Sequence, residues 1–305
     1  MRRFLALARS AALEALAEPL SAVLFLSALV TVHLMPVFHC HQFGEAGRLS
    51  RECGFSALLV FGLVLATSAA VRAIGREIES GTAAAALARP VPRPLFFCAK
   101  TIGVLAFFGL FAAAVSCATL LSVVTAETVA VEEHTHETLS RFWGPGLASG
   151  VGFSLLAFGA AALANRFWHA RFAVCACLLL VAAQPCALLS VAFLACASPV
   201  PWRFLPAQML LVVGCSVFVA MAGALAVRFR PAPVTAFVAL SVVLSFVWPI
   251  RAVLPDIALF WQVDGLAGGG TIPFGDLAPA LGAGMLLILL WMAAGSVLMQ
   301  RRDIP

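Results

Sequence analysis

Residues 101–124, TIGVLAFFGLFAAAVSCATLLSVV, contain no charged side chain, and the nearest flanking charges are Lys100 and Glu127. As a helix this stretch is about 36 Å long, enough to cross roughly 30 Å of hydrocarbon. The same signal recurs on both sides of it, so the chain reads as all-α, a polytopic transmembrane helical bundle. Eight apolar runs qualify: Pro19 to Phe38, Gly54 to Ile74, Thr101 to Val124, Gly144 to Asn165, Phe172 to Cys196, Leu205 to Val227, Pro233 to Ile250 and Leu277 to Met299. Hydrophobic residues make up 63% of the 305 and charged ones 11%, against about 25% charged in a soluble domain. No water-soluble core absorbs that much apolar sequence, and residues 1–305 read as one membrane domain.

Charge placement orients the runs. With the N-terminus in the cytoplasm, the inner segments hold Arg2, Arg3, Arg9, Arg72, Arg76, Arg89, Arg93, Lys100, Arg166, Arg171, Arg228, Arg230, Arg301 and Arg302. The outer segments hold only Arg48, Arg51, Arg141, Arg203 and Arg251, so the inner side carries the Lys and Arg excess that membrane insertion imposes. The arginines are spread over separate loops, which argues against a nucleic-acid role. Glu14 and Glu18 interrupt the approach to the first apolar run, so a cleaved leader is not expected. Residues 1–18 instead read as an amphipathic interfacial helix with Phe4, Leu5, Ala8, Ala12 and Leu16 toward lipid and Arg2, Arg9 and Glu14 toward water.

No ionisable group falls at the centre of a run. His33 lies near the outer end of the first. The mid-run pair Gln184–Pro185 reads as a proline kink whose glutamine bonds locally. The chain lacks H-E-x-x-H, G-x-S-x-G and G-x-x-x-x-G-K-[ST], so neither hydrolytic catalysis nor nucleotide binding is expected of it. In the outer acidic stretch, 125–143, His134 and His136 stand among Glu132, Glu133 and Glu137. Together with His39, Cys40 and His41 after the first run they form the one set of zinc- or copper-type ligands, though neither H-x-H pair has a ligand spacing of its own. Solvated loop histidines are the preferred reading. Cys40 and Cys53 flank the first outer loop, where an oxidising compartment would permit a bridge, against the preferred reading of two unpaired interfacial cysteines.

The informative polar segment is residues 73–100. It contains Arg76 to Arg93, REIESGTAAAALARPVPR, followed by PLFFCAKTIG. An alanine-rich helix over Thr82 to Ala88 must stop before Pro90, which lacks a donor and biases Arg89 to extended backbone. A short helix is therefore expected across the mouth of the second and third runs. The segment resembles the coupling-helix region of ABC-2-type transporter permeases, whose pattern E-I-E-x-x-T…L-L-x-x-P-[VI]-x-R…F…K-x-x-G is matched at Glu77, Ile78, Glu79, Thr82, Leu87, Pro90, Val91, Arg93, Phe96, Lys100 and Gly103. It departs from that pattern in the alanine run Ala83 to Ala86. The N-terminal LALARSAALEAL, the GEAGRLSRECGFS loop, LPDIALFWQVD and the terminal MQRRD resemble the same family in order and spacing, close to the branch that includes the nitrous-oxide-reductase maturation permease.

The resemblance implies a membrane subunit of an ATP-driven exporter in a bacterial inner membrane, with no catalysis of its own. ATP and magnesium would sit on a separate nucleotide-binding ATPase subunit, and a second permease chain would complete the pathway within membrane lipid. It also implies that Arg76, Glu77, Glu79, Thr82, Arg89 and Arg93 offer polar contacts to the ATPase while Leu87 and Val91 anchor it. Members of the family usually have six spans, so six and eight both stand at this point. The alternative function is a membrane enzyme or metal-centre maturation factor that uses the outer His/Glu cluster.

Overall fold

The computed structural model describes residues 1–41, 45, 47–79, 92–133, 140–194, 200–247 and 257–302. Among them every regular element is a helix: α1 (Arg2–Ala17), α2 (Pro19–Leu34), α3 (Arg48–Val71), α4 (Arg93–Glu133), α5 (Ser140–Trp168), α6 (Phe172–Leu194), α7 (Leu205–Ala226), α8 (Pro231–Val247), α9 (Ile257–Phe260) and α10 (Phe274–Arg301). Seven helical stretches are long and apolar enough to cross a membrane, namely Pro19–Phe38, Arg48–Glu79, Arg93–Glu127, Ala148–Trp168, Phe172–Val191, Trp202–Ala226 and Phe274–Arg301. The chain is a multi-pass membrane protein built as an all-α bundle.

The run expected at 233–250 is α8, whose 17 residues fall short of the span length among the described residues. It still carries the chain between the two ends of the bundle. Ala226, where α7 finishes, packs on Gly75, whereas Trp261, beyond α8, sets its ring edge-on to Phe55, 6.2 Å between centroids. The described residues thus hold seven stretches of span length, and α8 is a shorter apolar helix. Between α8 and α10 the chain does more than skim the surface. Ile257, Phe260, Val263 and Leu266 are buried, with Phe260 wedged against Gly214 of α7 and Gly284 of α10.

The interior of the bundle is aromatic. Phe25 of α2 meets Phe107 and Phe111 of α4 at 6.1 and 5.0 Å, the second edge to face, a geometry that adds to plain apolar burial. Leu286, Leu289 and Leu290 of α10 and Leu240 and Val243 of α8 stand outward on the periphery, as lipid-facing side chains do. The basic residues separate by end. One end gathers Arg72, Arg76, Arg93, Lys100 and Arg171, and the other gathers Arg48, Arg51 and Arg203 with Glu45, Glu52 and Glu127. The first is called the basic end below.

The N-terminal helix corrects the sequence reading. Ala8 and Leu16, expected toward lipid, are buried against protein with Ala11 and Ala15, Ala12 is half-buried, and Leu5 and Leu13 are exposed. The cause is size: Ala8, Ala11 and Ala15 are small enough to bring the α1 backbone onto α4. At Gly103 the approach is so close that a Cβ would overlap the Ala8 carbonyl oxygen and press on the Ala11 methyl. Short side chains are how helices pack in a membrane, where lipid removes the hydrophobic gain of association.

Candidate functional site

Phe96, Lys100 and Gly103 lie on one face of α4, at helical spacing of four and then three residues, so whatever packs there meets all three. Gly103 admits the backbone of α1. One turn away, the Lys100 ammonium, whose side chain is 3% exposed, donates to Glu77 Oε1 at 2.6 Å and to Glu14 Oε2 at 3.2 Å. The same ammonium stands 5.9 Å from the Phe96 ring centroid. One buried cation therefore fastens two elements to α4: the interfacial helix through Glu14, and the segment leaving α3 through Glu77. A lysine in that position must be paired, because an isolated buried charge is strongly unfavourable.

Glu77 reaches Lys100 through an irregularity in α3. Residues Arg72–Arg76 form a π-helical turn before the helix resumes at Glu77–Glu79. Such single turns of wider helix concentrate at functional positions. This one buries Ala73, Ile74 and Gly75 and leaves Arg72 half-buried and Arg76 exposed. Arg72 Nη1 lies 3.9 Å from Glu18 Oε1, and its Nη2 donates to Ser68 Oγ at 3.4 Å. Between α1 and this turn opens a cavity of about 380 Å³, lined by Glu14, Glu18, Arg72, Arg76, Glu77 and Arg171 over a floor of alanines.

The sequence-predicted contact residues divide by what they touch. Arg76 and Glu79 are exposed, Glu77 is engaged with Lys100, and Arg93 reaches the C-terminal end of α10. Its Nη1 donates to the carbonyl oxygens of Gln300 at 3.2 Å and Arg302 at 3.0 Å, capping the C-terminus of α10. Thr82, Leu87, Arg89 and Val91 fall outside the described residues, as do His134 and His136 and the side chains of His39 and His41. Cys53 is a free thiol. Among the described residues no group of three or more metal-ligating side chains gathers.

The sequence reading missed a second polar arrangement, near the opposite end. His33 of α2 shares a 2.8 Å hydrogen bond between its Nε2 and Gln184 Oε1, and Gln184 Nε2 donates to Ser154 Oγ at 3.1 Å. Ser154 Oγ donates in turn to the Gly150 carbonyl at 2.8 Å. All three side chains are buried, and a Cβ at Gly150 would strike the His33 ring. Gln184 thus bonds across helices, not locally as its proline neighbour suggested. The chain of bonds joins α2, α5 and α6 through three buried side chains, so each partner holds the others' geometry. The signal available in the sequence was the pairing of one histidine and one glutamine, each alone in an apolar run.

No family model, curated protein or solved structure matches this chain.

Proposed function

We propose that the chain is the membrane-spanning permease subunit of an ATP-driven exporter of ABC-2 type, set in a bacterial inner membrane with the basic end in the cytoplasm. The observation that carries this reading is the Lys100 junction. A permease that hydrolyses nothing must pass a partner's motion from a cytoplasmic loop into its helices. In this chain the base of that loop, at Glu77, and the interfacial helix, at Glu14, are held by one ammonium on the next spanning helix. A push on the 80–91 segment would then move α1, α3 and α4 together. The exposed Arg76 and Glu79 would offer charge to a nucleotide-binding ATPase subunit, and Arg93 would tie the far side of the loop to α10. Glu77 and Arg93 are thereby reassigned from partner contact to transmission.

The test separates docking from coupling. In a reconstituted complex with its ATPase, Arg76→Glu combined with Glu79→Arg should weaken co-purification of the ATPase, whereas Lys100→Met should leave co-purification intact. Lys100→Met should also break the dependence of ATP hydrolysis on the membrane subunit. Loss of binding in Lys100→Met with no effect of the charge reversal would refute the division of roles.

A further inference from the structure

The turn between α7 and α8 carries an apolar groove at the basic end, about 400 Å³ in volume, lined by Leu225, Phe229, Pro233, Val234 and Phe237. That volume lies within the range of about 300 to 1,000 Å³ that small ligands occupy. Val234 forms the floor at 1% exposed, while Phe229 and Phe237 stand as walls at 55% and 50%. Two exposed arginines, Arg228 and Arg230, flank the lining residue Phe229 in the chain. Neither makes an ion pair among the described residues, and residues 202–247 contain no acidic side chain to answer them. Three carboxylates at this end are committed elsewhere, Glu14 and Glu77 to Lys100 and Glu18 to Arg72, and the exposed Glu79 forms no ion pair with either arginine.

From this charge arrangement we infer that the groove is a binding site for an anionic phospholipid. An acyl chain would lie between Phe229 and Phe237, and the headgroup phosphate would sit on Arg228 and Arg230. The apolar part alone fits any lipid tail; the two arginines select the anionic one. Their place beside Ala226, which packs on Gly75, puts the headgroup at the level where the helices leave the hydrocarbon. The site is distinct from the Lys100 junction and stands whether or not an ATPase partner exists.

Native mass spectrometry of the full chain in mild detergent tests it, with phosphatidylglycerol and phosphatidylcholine of identical chains as probes. Phosphatidylglycerol should be retained in preference to phosphatidylcholine. Its affinity should fall about thirty-fold in the double variant Arg228→Gln, Arg230→Gln, as expected for two basic residues at a charged membrane surface. The charge-preserving pair Arg228→Lys, Arg230→Lys should keep most of the binding, which separates charge from misfolding. Phe237→Ser should weaken phosphatidylglycerol retention through the tail alone. Equal retention of the two lipids, or no change in the glutamine variant, would overturn the proposal. So would a dimer lost on Phe237→Ser, which would make a second copy the occupant.

Discussion

Replacing Lys100 with Met removes one buried cation and leaves two carboxylates facing each other. The 2.6 Å contact with Glu77 carries a gross attraction of roughly 6 kcal/mol at an effective dielectric of about 20. Desolvation of a lysine that is 3% exposed offsets about half of it, which leaves a net cost of about 3 kcal/mol for breaking the pair. The Glu14 contact adds only about 0.5 kcal/mol, because that side chain is 54% exposed and screened by solvent. At roughly 2 °C per kcal/mol for a chain of this size, Lys100→Met should lower the detergent-solubilised melting temperature by about 7 °C. The informative comparison is a double-mutant cycle. Glu77→Gln alone should lose part of that stability, and Lys100→Met with Glu77→Gln should regain several degrees over Lys100→Met, because only the solvent-exposed Glu14 charge is then left beside the apolar replacement. Scanning fluorimetry of the four proteins gives the coupling directly. Strictly additive shifts, or a Lys100→Met shift under 1 °C, would refute the reasoning that the junction is a single electrostatic unit.

Gly103→Leu should lift α1 from α4, because its first side-chain atom already meets the Ala8 carbonyl oxygen. The overpacking cost is about 1–3 kcal/mol, and tryptic cleavage at Arg9 should accelerate several-fold; an unchanged cleavage rate would contradict it. Gln184→Leu leaves His33 and Ser154 without their shared partner inside the membrane and should cost about 1–2 kcal/mol, read as a melting shift of about 2–4 °C. No shift would mean that the three-helix chain of bonds holds nothing. Arg93→Ala uncaps the last turn of α10 at about 0.5–1 kcal/mol, so cleavage by trypsin after Arg301 should quicken while the melting temperature barely moves.

The spans were legible because hydrocarbon thickness sets a length that runs such as 101–124 meet without charge, and seven of the eight expected runs are helices of span length, the one at 233–250 being shorter among the described residues. The arginine and lysine distribution was legible for a related reason: among the described residues Arg72, Arg76, Arg93, Lys100 and Arg171 gather at one end of the bundle and Arg48, Arg51 and Arg203 at the other. Side-chain partnerships were harder to read. Glu14 seen alone is a charge on an amphipathic helix and reads as facing water, and only the fold brings it to within 3.2 Å of Lys100, 86 residues away in sequence. The face of α1 was misassigned in part because an amphipathic pattern does not say whether lipid or protein covers its apolar side: Ala8 and Leu16 are buried against protein, whereas Leu5 is exposed. Gln184 beside Pro185 read as a local kink, and its partnership with His33, 151 residues away, has no signature in spacing. The F…K-x-x-G pattern was visible as a motif, and its physical content is that Phe96, Lys100 and Gly103 form one face that receives both α1 and Glu77.

The permease reading is tested most directly by affinity purification of the tagged full chain from its own membrane in mild detergent, with identification of the chains that come with it and an assay of ATP hydrolysis. The account predicts a stoichiometric nucleotide-binding ATPase that hydrolyses ATP in the complex and is released by Arg76→Glu with Glu79→Arg. A chain that purifies without any ATPase, and whose behaviour those substitutions leave unchanged, would contradict it.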